Sequence, residues 1–220
     1  MRPGEELSQA ALEHFRREAA GQDPMPAGVA IAAVSGSFAL GLTAKVLRLS
    51  SRRNPSPADA SRPELLAAAA QSASQRMLQL ASADVAAFGA YLGARRLPHS
   101  TGAESQERQL AIETAVRRTV DVPLAAAHEA AAGLRLCDEL SASTPPELVA
   151  DLGVIASLLA GALRGFLLCA QSNVRNLAPG TPSLRDRVAT EAQSHAAAFG
   201  IAEAVLERTR AALEGVVTSR

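Results

Sequence analysis

A carboxylate stands where a helix should carry a core residue. Along Leu80 to Tyr91, positions i, i+4, i+7, i+8 and i+11 are Leu80, Asp84, Ala87, Phe88 and Tyr91. That is one stripe of a 3.6-residue helix, apolar except for Asp84. A second stripe, Leu148, Ile155, Leu158, Leu159 and Ala162, contains Asp151. A carboxylate facing a core costs several kcal/mol unless it is paired, protonated or put to use. Two on separate stripes predict a polar pocket inside a set of helices. Each has a structural rival: an ion pair between Asp84 and an inward arginine such as Arg164, and a first-turn helix-dipole contact for Asp151 behind Pro145-Pro146.

The elements that must position these groups are helices. Of the 220 residues 48% are hydrophobic but only 3% are aromatic, with no Trp, and the excess is Ala, which favours close-packed helices over strands. A formal net charge of zero gives no reason to expect nucleic acid or an acidic membrane surface as a partner. Cys137 and Cys169 form neither a disulfide framework nor a zinc spacing, so a reduced, cytoplasmic protein is expected. His14, His99, His128 and His195 are scattered without an i, i+4 histidine pair, and no metal site is expected. Ala27 to Ala44 carries no charge over the length of a short membrane span. Its hydrophobicity comes from small residues, Lys45 and Arg48 follow directly, and an amphipathic segment precedes it. The expectation is a buried central helix, with no membrane span and no signal peptide.

Helix signals cover nearly the whole chain. The pattern predicts helices from about Gly4 to Ala20, from the Pro24–Pro26 turn to about Leu49, and from Pro63 to Arg96. Further helices are predicted from Glu104 to about Asp121, from a start or kink at Pro123 to about Leu140, from Pro145-Pro146 to about Asn176, and from Ser183 to Val217. Arg52 to Pro57 reads as a loop. With no strand-like alternation, repeat or linker, residues 1–220 read as a single all-α domain, a bundle of about six long helices. On the second helix Ala32, Gly36, Ala39 or Leu40, and Thr43 make a small-residue ridge suited to tight packing.

Several motifs, in order, resemble the cyclodeaminase/cyclohydrolase family of tetrahydrofolate one-carbon metabolism. Pro24-Met25-Pro26-Ala27-Gly28-Val29-Ala30 takes the place of the family's Pro-Thr-Pro-Gly-Gly-Gly-Ser loop, and Arg52-Arg53 falls near its basic turn. Asp84-Val85-Ala86-Ala87-Phe88 followed by Leu97-Pro98 is similar to its Asp-x-x-Ala-Phe…Leu-Pro pattern. Val122-Pro123-Leu124 and Ala150-Asp151-Leu152-Gly153-Val154 follow its Val-Pro-Leu and Ser-Asp-x-Gly-Val-Ala. Cys169-Ala170-Gln171-Ser172-Asn173 occupies the place of Asn-Val-x-Ile-Asn. The resemblance spans about Pro24 to Asn176. Two loop glycines, two serines and one asparagine are replaced, by Ala27, Val29, Ala30, Ala150 and Cys169.

This resemblance implies a homodimer of helical subunits acting on a tetrahydrofolate derivative, with no cofactor beyond that substrate. The reaction is either closure of 5-formiminotetrahydrofolate to 5,10-methenyltetrahydrofolate with loss of ammonia, or hydrolysis of the methenyl bridge to 10-formyltetrahydrofolate. Asp84 is the expected acid–base group, its pKa raised by burial, with Asp151 orienting substrate or sharing the proton. Ala27, Gly28 and Val29 are expected to line the folate site, Asn173 to bind a pterin edge, and Arg52 and Arg53 to meet the glutamate tail. Ordinary alternatives are a helix cap for Asn173 and C-terminal helix charges for the two arginines. The replaced residues raise a second expectation, a homologue that has lost folate chemistry and serves as a binding or assembly subunit or acts on another substrate.

Overall fold

The computed structural model describes residues 10–53, 61–177 and 181–217. The protein is all-α. Its helices are α1 (Ala10–Ala19), α2 (Gly28–Arg53), α3 (Arg62–Arg95), α4 (Gly102–Ser141), α5 (Val149–Leu177), α6 (Pro182–Ser194) and α7 (Ala196–Val217), with a 3₁₀ turn, Pro146–Leu148, ahead of α5.

The apolar 27–44 stretch is the central helix. α2 packs against α3, α4 and α5, burying Ala33, Ala39, Leu40, Thr43 and Val46. Its small-residue ridge allows this: a Cβ on Gly36 would stand 3.3 Å from Met77 Cε and 3.6 Å from Ala162. The crossing with α4 is tighter still, since a Cβ on Gly133 would come within 2.8 Å of both Leu40 and Leu159. By length and hydropathy α2 and the Pro146–Leu177 segment could each cross a membrane, but 56% and 50% of their apolar windows are buried inside the bundle.

Local signals account for most boundaries. Pro63 sits in the first turn of α3. Thr101 and Glu104 form a reciprocal capping box at the start of α4. Three expectations are corrected. Arg52 and Arg53 are the last turn of α2, not the start of a loop; residues 54–60 lie outside those described, as do residues 1–9 of the expected first helix. Pro123 neither starts nor breaks a helix, because α4 runs through it. The last helix is two. Neither Pro nor Gly marks the break, which falls at His195, whose side chain is drawn into the interior at 6% exposure. Ala198 N–H there bonds His195 O, a tightened i→i+3 turn.

Candidate functional site

α2 and α3 are antiparallel, and their register is pinned by Ser74 Oγ, which donates to Ser37 O at 2.9 Å and meets Ser37 Oγ at 3.0 Å. Nine residues back from Ser37 is Gly28, and ten residues on from Ser74 is Asp84. At 1.5 Å per residue the two stand at about the same level of the bundle. The third member comes from α5: a Cβ on Gly28 would lie 3.1 Å from Cys169 Sγ, so the backbone and the thiol are already in close approach. The Cys169 thiol is pushed above its usual pKa by burial and, secondarily, by Asp84. Gly28, Asp84 and Cys169 thus meet at one end of the bundle.

The stripe reading of Asp84 is right. The residue is 6% exposed, with Ala87 at 0% and Tyr91 at 7% on the same face. The arginine rival fails: Arg164 lies over the Phe199 ring, 5.1 Å from its centroid, and Arg95 donates to Tyr91 Oη at 2.8 Å. Among the described residues Asp84 has no hydrogen bond or ion pair. Burial alone raises its pKa from 3.8 to about 6. The nearby start of α2, where the first-turn N–H groups lack helical partners, pulls the other way. A helix terminus contributes about 0.3–1 kcal/mol to a neighbouring charge, whereas a rise from 3.8 to about 6 corresponds to about 3 kcal/mol. Desolvation wins.

Asn173 lies one turn beyond Cys169 on α5 and does something the sequence did not announce. Pro123 has no N–H, so the carbonyl four residues earlier, Thr119 O, loses its helical donor. Asn173 Nδ2 donates to that oxygen at 2.7 Å. One amide therefore satisfies the orphaned carbonyl, lets α4 continue through a proline, and ties α4 to α5 beside Asp84. It is neither a helix cap nor a free amide awaiting a ligand; its Oδ1 remains as an acceptor.

The loop is less accessible than expected. Ala27 and Gly28 are exposed at the helix start, but Val29 is a core residue at 4% exposure. Its side chain does not stand over the loop. A cleft of about 430 Å³ adjoins this end, between α1, the Met25-Pro26 turn, α2 and α3; Met25, Pro26 and Ala30 line it from the loop side, with Ser82 and Val85 opposite.

The other expected residues lie elsewhere. Asp151 is half-buried near the start of α5, eighteen residues from Cys169, or about 27 Å along the helix axis. Within one chain it cannot share a proton with Asp84. Its stripe is core, with Ile155 and Leu159 at 0% exposure, but Leu158 at 38% shows that Asp151 sits on the margin. Arg52 and Arg53 close α2, some 36 Å along its axis from Gly28, and Arg53 is ion-paired with Glu147. The sequence patterns thus found two ends of the bundle and read them as one pocket.

A helical bundle holding a buried, unpaired carboxylate beside the start of its central helix defines the class: an all-α protein with an internal site suited to proton transfer. Its sequence matches the formiminotransferase-cyclodeaminase family over residues 11–194, and the chain belongs to that family. It is 28% identical to rat formimidoyltransferase-cyclodeaminase over 80% of this chain and 32% of the relative. It is 30% identical to the pig protein over 71% of this chain and 29% of the relative, so it spans about a third of these relatives' length. It is also 26% identical to methenyltetrahydrofolate cyclohydrolase of Methylorubrum extorquens, over 76% of this chain and 80% of that one. The fold is that of the crystal structure of formiminotetrahydrofolate cyclodeaminase from Thermotoga maritima, with a TM-score of 0.76, 20% identity, and coverage of 96% of this chain and 100% of the other.

Proposed function

We propose that this chain is a tetrahydrofolate one-carbon enzyme that closes or opens the carbon bridge between N5 and N10, with Asp84 as its acid–base group. The observation carrying this reading is a buried carboxyl with no partner among the described residues and a pKa raised to about 6, so that near neutrality it can both take and give a proton. In ring closure, N10 attacks the formimino carbon, the N10 proton passes to the carboxylate, and the amino group leaves as ammonia on receiving a proton. In hydrolysis, water adds to the methenyl carbon as its proton passes to the carboxylate, and the C–N5 bond then breaks with protonation of N5. Both use one carboxyl at one tetrahedral carbon, and neither uses a cofactor beyond the substrate.

Gly28 and the exposed start of α2 are the proposed folate-facing backbone, with Ala27 beside it. Asn173 acts through α4 as a positioning residue. Arg52, Arg53, Asp151 and Val29 are left out of the proposed site on the geometry above. A homodimer is proposed from the exposed apolar residues of α2, Ile31 at 40% and Phe38 at 58% exposure, two turns apart. Both cysteines are free thiols, in keeping with a cytoplasmic setting.

The test mixes the purified chain with each folate and follows the methenyl absorbance. Growth of that band from 5-formiminotetrahydrofolate identifies the cyclodeaminase. Accelerated loss from methenyltetrahydrofolate identifies the cyclohydrolase. No change with either overturns the proposal.

A further inference from the structure

Where α6 meets α7, the buried side chain of His195 presents an Nε2 that is sealed from solvent and has no hydrogen-bond partner among the described residues. What surrounds that nitrogen is a donor set. Glu191 Oε2 is 3.8 Å from it and 3.0 Å from His128 Nε2, and the His128 and His195 rings meet edge-on with centroids 4.9 Å apart. His128 comes from α4, Glu191 from the last turn of α6 and His195 from the α6–α7 junction. One ligand atom from each residue can be chosen so that all three lie within 4.8 Å of one another. We propose that His128, Glu191 and His195 bind a divalent transition-metal cation of the zinc class, with the fourth position left to water.

The chemistry selects that class. Two imidazoles and one carboxylate suit zinc and its neighbours, whereas calcium and magnesium prefer all-oxygen sets. Bonds of about 2.1 Å in tetrahedral geometry put ligand atoms about 3.4 Å apart. The separations of Glu191 Oε2 from the two imidazole nitrogens, 3.0 and 3.8 Å, already bracket that value. The longest span, at most 4.8 Å, needs a movement of up to about 1.4 Å to reach it, and His128, whose side chain is 56% exposed, can supply that without disturbing the core. An ordinary His128–Glu191 surface pair explains two of the three residues. It leaves the buried nitrogen of His195 without a partner, and a bound cation supplies one.

The site shares no residue with the Asp84 cluster. It would clasp the α6–α7 corner onto α4. A histidine-pair search misses it because its sequence signature is a glutamate and a histidine at i, i+4, Glu191 and His195, with the third ligand sixty-three residues upstream.

The experiment uses the full chain, free of any affinity tag and stripped with chelator, and titrates it with Co²⁺ as a spectroscopic probe and Zn²⁺ by calorimetry. The expected result is one ion per chain, with intense visible Co²⁺ bands of a four- or five-coordinate site and a Zn²⁺-dependent rise in melting temperature. His128→Ala, at an exposed position that leaves the core intact, and Glu191→Gln should each weaken binding at least about tenfold and abolish the thermal shift; His195→Ala should do the same if it folds. Absence of those Co²⁺ bands, or binding unchanged in His128→Ala and Glu191→Gln, overturns the proposal.

Discussion

Replacing Asp84 by Asn should make the protein relatively more stable as the pH rises, and the size of the effect follows from its surroundings. The folded state raises this carboxyl from 3.8 to about 6 by burial. At 1.36 kcal/mol per pH unit, that is about 3 kcal/mol. Between those two values the folded protein holds a proton that the unfolded chain has released, so stability falls as pH rises. The contribution of the neutral carboxyl is therefore intact below 3.8 and lost as pH climbs through about 6. An amide has no such titration. Its own desolvation cost is constant with pH, so the signature is the change in the stability gap rather than its absolute size. The gap in favour of Asp84→Asn should widen by roughly 1.5 kcal/mol between about pH 5 and pH 8. Urea unfolding of both proteins at each pH measures it, with unchanged m-values confirming that the folded and unfolded states are comparable. A flat gap, or one that narrows toward pH 8, would mean that Asp84 has a partner stabilising its charge, and the desolvation argument would fail. Turnover should vanish in the same variant. A residue that weakens the fold while supporting the chemistry is the usual sign of a functional group.

Cys169→Asn places an amide donor beside the Asp84 carboxylate. Hydrogen bonding to the charged form should move the limb of the pH–rate profile below its wild-type position near pH 6; an unmoved limb would separate Cys169 from Asp84. Asn173→Ala should cost about 1–3 kcal/mol by orphaning the Thr119 carbonyl, and most of that loss should disappear in a Pro123→Ala background, where the helix regains its own donor. A double-mutant cycle showing simple additivity would refute the link. Val29→Gly should destabilise by about 2–4 kcal/mol through a core cavity and a weakened helix, measured by denaturant titration, rather than tighten folate binding. Asp151→Asn should leave kcat/KM within about twofold of wild type, since Asp151 and Cys169 are about 27 Å apart along α5; loss of turnover in steady-state assays would show that the two ends of the bundle cooperate.

The parts of the molecule legible from sequence are those governed by local periodicity and local steric rules. The Asp84 stripe was readable because a helix repeats every 3.6 residues, and α3 is long enough to display its pattern unambiguously. The small-residue ridge of α2 was readable because a close crossing excludes larger side chains. Asp151 passed the same test as Asp84 and ended on the margin of its stripe, because periodicity assigns a face to within a residue or so and says nothing about which end of a neighbouring helix arrives there. Pro123 and His195 show the opposite limit. A proline in mid-helix is a local rule for breakage, and α4 escapes it through an amide fifty-four residues away. The α6–α7 break has no local breaker and comes with a histidine turned toward a residue of α4. In both places a tertiary partner outweighs a local preference of about 1–3 kcal/mol. The pairs that supply it, Asn173 with Thr119 and His195 with His128, lie far apart in the chain and come together only when α4 has docked on α5 and α6. At such junctions periodicity is silent, and even the Asp84 carboxylate, whose burial it did find, acquires its raised pKa from the helices packed around it.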